Sequence, residues 1–198
     1  MTEPPDQRRE AILEAAETQF GLYGFRRTSM EDIAKETGVS RASLYSSFEN
    51  KEEIFRSLSA KLHAQSLEDA ASHLSGDASE GQGLESRLEA ALIARMTPFL
   101  EVIAQSPHGS ELYDESNRLC GDIVLDSSQR FSEMLTAAIA AAARAGEIDL
   151  KTAGLTAPAA AEMFHLATTG LKQGAPDAPT FEKRARSFVR VFVAGLGG

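Results

Sequence analysis

The sequence predicts an all-α fold of about nine helices. Apolar residues recur three or four positions apart through nearly every segment. Helix-capping residues (Thr28 or Ser29, Ser40, Asn50) stand just ahead of several of these segments. No strand pattern of any length and no internal repeat interrupts them.

Taken in order, Ile12, Ala15, Ala16 and Phe20 give the first helix its inner face over 8–22, and Gly21 and Gly24 are expected to stop it. "TSME" at 28–31 has the form of a capping box, with Glu31 three residues after Thr28, so Thr28 or Ser29 caps the second helix. Met30, Ile33 and Ala34 face inward there, and Gly38 ends it. Ser40 caps a third, short helix over 40–47. A fourth starts near Asn50, its expected cap, and runs past Leu62 towards Ser72. "SGDASEGQG" at 75–83 reads as a loop. Helical spacing resumes at 84–105, where Pro98 predicts a kink near 94–98, because proline lacks the N–H that continues the ladder. Helices at about 109–121 and 126–145 follow, the latter ending in "AGEIDL", where Gly146 suits a left-handed cap. "QGAPDAP" separates the last two, 157–172 and 180–195.

Composition narrows the function. With 42% hydrophobic and 25% charged residues, the 198-residue chain has the make-up of a soluble globular protein with a buried core. No apolar run approaches the roughly 20 residues that span a bilayer. The polar, acidic "MTEPPDQRRE" carries no secretory signal pattern, and one cysteine, Cys120, cannot form an internal disulfide, so a cytoplasmic location is expected. A net charge of −9 opposes nucleic-acid binding, and residues 1–52 do not reverse it, with seven Lys and Arg against ten Asp and Glu. Binding to DNA therefore needs positive charge placed locally.

Residues 28–48 supply such a placement. Two short helices joined by a tight turn at Gly38 form a helix-turn-helix. Ile33, Val39 and Leu44 would fill the wedge, while Leu44 and Phe48 turn the third helix inward. At 100° per residue, Ala42, Tyr45 and Ser46 lie outward, flanked by Arg41 and Ser43. Short hydroxyl side chains suit a surface that enters a major groove about 12 Å wide. Arg41 can reach a guanine edge or a phosphate, and Tyr45 a thymine methyl or a phosphate. Arg26 and Arg27 before the second helix and Lys51 at the start of the fourth could clamp the backbone on either side. A protein-contact module with a solvated charged face is the alternative.

The stretch 8–55, containing "ILEAAETQFGLYGFRRTSMEDIAKETGVSRASLYSSFENKEEIF", resembles the DNA-binding domain of the tetracycline-repressor (TetR) family of bacterial transcription regulators. The resemblance covers about a quarter of the chain. It implies that the third helix reads the major groove and that Thr28 and Lys51 touch phosphates. The family's DNA-contacting roles map onto Thr28, Arg41, Ser43, Tyr45, Ser46 and Lys51. Ser46 and Ser47 stand where the family often has His and Tyr, which removes a long phosphate-contacting arm, and Glu49 adds a negative charge nearby. Arg26 and Arg27 are expected to matter more in consequence. The domain so implied is 6–55, with the helix-turn-helix at about 29–48, and 56–198 would form a helical effector-binding and dimerisation domain.

The C-terminal residues support a homodimer independently. Phe181, Phe188 and Phe192 lie in one wide apolar stripe, and Met163, Phe164, Ala167 and Leu171 lie in another. Two such helices per subunit would form a four-helix interface suited to a palindromic operator; the alternative is that both stripes bury only within the monomer. Candidate effector contacts are Arg95, Met96, Phe99, Tyr113, Asn117, Phe131 and His165, from an apolar set that fits a cavity or a core equally well. "EMFH" at 162–165 lacks the second copy that a di-iron bundle needs. His108, Glu111, Asp114 and Glu115 show no zinc spacing, so neither metal, cofactor nor enzymatic activity is expected. The expected function is a ligand-responsive, DNA-binding transcriptional regulator: a homodimeric repressor released from operator DNA by a small molecule, with no membrane partner. The alternative is a helical binding or interaction module that no longer binds DNA.

Overall fold

Nine helices and no strand form the described residues, 5–75, 82–173 and 177–197, of a computed structural model of the protein. In chain order they are α1 (Pro5–Tyr23), α2 (Met30–Thr37), α3 (Arg41–Ser47), α4 (Lys51–Leu74), α5 (Leu84–Gln105), α6 (Gly109–Leu119), α7 (Gly121–Ala145), α8 (Ala157–Lys172) and α9 (Ala178–Gly195). Most of the loop expected at 75–83 (76–81) and part of the one at 173–179 (174–176) lie outside the described residues.

Several helix ends differ from expectation for identifiable reasons. Helix α1 passes through Gly21, which tolerates a helix interior, and stops only where Gly24 takes φ +83°. The capping box of α2 is one residue later than expected. Ser29 Oγ accepts from the Asp32 N–H, and the Asp32 carboxylate accepts from the Ser29 N–H at 2.9 Å. Thr28 cannot serve because it is buried, its hydroxyl donating to the Gly24 carbonyl at 2.8 Å. Helix α5 is continuous from 84 to 105 with Pro98 inside. Helix α7 begins at Gly121, earlier than the 126 expected. Asn50 does cap α4, its Oδ1 accepting from the Glu53 N–H at 2.8 Å.

The chain divides into two compact units. The first comprises residues 1–63 and 101–124, so the segment holding α6 joins the N-terminal helices. Its core is built on Ile12, Phe20, Phe25, Ile33, Leu44, Phe48, Ile54 and Phe55, with Leu112 and Cys120 added from the second segment. Phe20, Phe25 and Phe55 form a ring triad with centroids 5.1–5.7 Å apart. Cys120 is fully buried, and burial pushes its thiol up, as suits a small core residue.

The second unit comprises residues 64–100 and 125–198. Its core draws Leu88 and Leu92 from α5, Phe131, Leu135 and Ile139 from α7, Phe164 from α8, and Phe181, Val189 and Leu196 from or just after α9. The N-terminus of α5 is held from the α7–α8 connection, where Glu147 accepts from the Leu84 N–H at 2.8 Å and from Arg87 at 2.7 Å.

Candidate functional site

Helix α3 is seven residues long, far too short to be stable alone, so tertiary packing and caps must hold it. Gly38 turns the chain with φ +77°, its N–H returning to the Ala34 and Lys35 carbonyls. Ser40 caps α3 by accepting from the Ser43 N–H at 3.1 Å. Leu44 and Phe48, both essentially without exposed surface, press the helix onto α1 and α2. What remains outward is the face with Arg41, Ala42, Tyr45 and Ser46, all exposed, and Ser43, half-buried beside them. Burying side chains on one side fixes which ones the other side presents.

The polar groups on that face are only lightly committed. Arg41 pairs with Glu31 of α2 across two exposed side chains, an arrangement worth about 0–1 kcal/mol and readily exchanged for another anion. Ser46 Oγ donates to its own helix at the Ser43 carbonyl, 2.7 Å away. Tyr45 is half exposed.

The flanking residues behave less uniformly. Arg27 is exposed. Arg26 has a mostly exposed side chain, yet its Nε reaches the buried Glu115 carboxylate at 3.1 Å and its N–H donates to Glu111 at 2.7 Å. Burial raises the Glu115 carboxyl, but hydrogen bonds from Arg118 and Arg26 outweigh it and hold the group below the usual range. Thr28 and Lys51, both expected at phosphates, bond to main chain within the protein. The Thr28 side chain is buried and bonded to main chain, so it faces no solvent. The Lys51 ammonium donates to the Phe25 and Thr28 carbonyls at 2.9 Å each and sits 4.5 Å from the Phe25 ring, organising the turn before α2.

Sequence reasoning missed Arg9. Its Nη1 donates to the Ser47 carbonyl at 2.6 Å, and its guanidinium stacks 3.8 Å from the centroid of Phe48. It thus closes the C-terminal end of α3 from α1. A basic residue on a helix face 38 positions away carried no local signal.

In the second unit, Arg95, Phe99, Phe131 and His165 come together, with Met96 packed on the neighbouring core. Tyr113 and Asn117 are exposed residues of α6 in the first unit. Among the residues expected at a subunit interface, Phe164 and Phe181 have no exposed surface and belong to the monomer core. Ala167, Leu171, Phe188 and Phe192 are half-buried, whereas Met163 is exposed. Leu166 and Val191, unremarked in the sequence, are 64% and 72% exposed and widen the apolar face of α8 and α9. An open groove of about 640 Å³ between these helices is lined by Leu171, Phe188 and Val191 among others.

Known proteins share both the motif and the fold. Residues 12–58 match the family described as bacterial regulatory proteins, tetR family. YfiR of Bacillus subtilis, an uncharacterized HTH-type transcriptional regulator, is 46% identical over 54 residues, 27% of this chain and 26% of that protein, so the similarity spans about a quarter of that relative. ArpR of Pseudomonas putida, a probable HTH-type transcriptional regulator, is 28% identical over 159 residues, 77% of this chain and 76% of its own. In fold, the chain is similar to SmeT, the repressor of the Stenotrophomonas maltophilia multidrug efflux pump SmeDEF, with a TM-score of 0.66 at 20% identity over 92% of this chain and 88% of that one.

Proposed function

We propose, from the match of residues 12–58 to the tetR family of bacterial regulatory proteins, that the chain belongs to that family and is a homodimeric transcriptional repressor released from its operator by a small molecule. The observation that supports this reading best is the outward face of α3: Leu44 and Phe48 fix the helix while Arg41, Tyr45 and Ser46 stay exposed on a rod short enough to enter a major groove. Backbone contacts in this reading come from Arg27, the outer part of Arg26, and Arg41 once it leaves Glu31. Lys51 and Thr28 act indirectly, by shaping the turn from which α2 starts.

A second copy is the occupant that suits the exposed apolar side of α8 and α9. Met163, Leu166 and Val191 are exposed, Val191 in the lining of the groove, and a twofold pair suits an operator with two half-sites about 34–36 Å apart. An effector held in the second unit would favour a conformer with a different separation, lowering operator affinity by its differential binding free energy. The protein acts in the cytoplasm without enzymatic chemistry, cofactor or membrane partner in this reading. Among the described residues no helix is long and apolar enough to cross a membrane.

Fluorescence anisotropy with a duplex from the region upstream of the protein's own coding sequence tests the proposal. Binding should weaken steeply with salt, because each phosphate contact releases counterions. Binding that is absent, or indifferent to salt, would instead favour a helical module that has lost its DNA role.

A further inference from the structure

Four helices of the second unit deliver basic, hydroxyl and aromatic side chains to one place. Arg95 of α5 is 5% exposed. Its Nη1 donates to Ser66 Oγ of α4 at 2.8 Å and its Nη2 to Ser127 Oγ of α7 at 2.7 Å, and both serines are buried. The guanidinium carbon lies 5.2 Å from the Phe99 ring centroid and 5.8 Å from that of Phe131. The His165 ring of α8 stands 6.4 Å from the Phe131 ring, and its Nδ1 is buried with no hydrogen-bond partner. Lys172, exposed two turns further along α8, adds positive charge at the rim.

Several of these features are costly for folding. Removing a guanidinium from water costs several kcal/mol, which its hydrogen bonds must offset. Burial draws Arg95 down to about 10, which leaves it charged at neutral pH. Burial likewise pushes the His165 imidazole down, and the charges of Arg95 and Lys172 push it further, so it is a neutral donor beside a cation. A buried ring nitrogen without a partner is open to a hydrogen bond from a ligand's polar atom.

We propose that Arg95 and His165 form the head-group site for an amphipathic carboxylic acid, whose carboxylate replaces the Ser66 and Ser127 hydroxyls on the guanidinium while its apolar body lies along Phe99 and Phe131. The planar fork of arginine matches the two oxygens of a carboxylate, and a pair charged on both sides adds a Coulomb attraction that a neutral hydroxyl acceptor cannot supply. Cationic ligands are disfavoured by the same field. The inference names the effector class for the ligand-responsive reading above and rests on it.

Calorimetric titration of the full chain with octanoate and with 4-phenylbutyrate, each against its own primary amide, tests the site without DNA. At least one acid should bind about 10-fold or more tightly than its amide. Arg95→Met should abolish that preference while the protein stays folded, with Tm unchanged or raised because a buried charge is gone. Arg95→Lys, which keeps charge but loses the fork, should retain a reduced preference, and it serves if the methionine variant fails to fold. Equal affinity for acid and amide, preference surviving in Arg95→Met, or no binding of either acid would overturn the inference. Operator anisotropy is read separately. If operator DNA never binds, the regulator reading fails while the calorimetric result stands; if DNA binds but the acids do not, only the carboxylate site fails.

Discussion

Arg9 reaches α3 from behind rather than from its outward face. By accepting the Arg9 proton, the Ser47 carbonyl gains a partner that a helix end otherwise lacks, and the stacked guanidinium holds Phe48 in place. Arg9→Ala should therefore destabilise the protein by about 1–2 kcal/mol in urea unfolding and weaken operator binding without changing its salt dependence. Arg27→Ala should do the reverse, leaving stability alone and reducing the salt slope by about one. A variant pair with equal slopes would contradict that division. His165 carries a pH prediction. Its imidazole titrates below the ordinary 6.5, so the unfolded chain binds the proton first as pH falls. Stability is full above that value and declines as pH drops through the window below it. His165→Gln should flatten the decline measured between about pH 7 and 5.5.

Glycines set two of the helix junctions. Gly38 holds φ +77° with open space around it, so Gly38→Ala meets only backbone strain, about 1–2 kcal/mol in thermal unfolding. Gly109 differs, since a Cβ there would collide with the backbone of Ile103, and Gly109→Ala should displace the start of α6 and cost more than Gly38→Ala. A larger loss at Gly38 would contradict this. The short elements show what local sequence can specify. Helix α3 was legible to within one residue because its cap, Ser40, and its inward pair, Leu44 and Phe48, fall at the right spacing. The cap of α2 was not, because Thr28 and Ser29 offer equivalent hydroxyls and only the fold decides which one is buried. The roles of Glu111 and Glu115 were hidden for a different reason. Their partner Arg26 lies 85 and 89 residues away, and an acidic helix face looks the same whether it is solvated or engaged. Arg95 and His165 were legible as polar residues on apolar helices, but Tyr113 and Asn117 fit the same description and lie in the other unit.

For the molecule as a whole, charge and assembly decide the behaviour. A chain of net −9 repels DNA at long range, so association should be slow at low salt compared with a basic protein, and affinity must come from few, close contacts. In the proposed homodimer the exposed apolar side of α8 and α9 forms the interface: Leu166→Glu combined with Val191→Glu should shift a dimer to monomer in light scattering while leaving the helical content intact. A wild-type monomer at micromolar concentration would remove that part of the account. The most direct test compares operator and scrambled duplexes at one ionic strength, by anisotropy, for wild type and for the double variant Arg41→Ala, Tyr45→Ala. The account predicts that wild type prefers its operator by about 1,000-fold or more and that the double variant loses at least about 10-fold of that preference. Equal binding of both duplexes by wild type, or an unchanged ratio in the double variant, would contradict it.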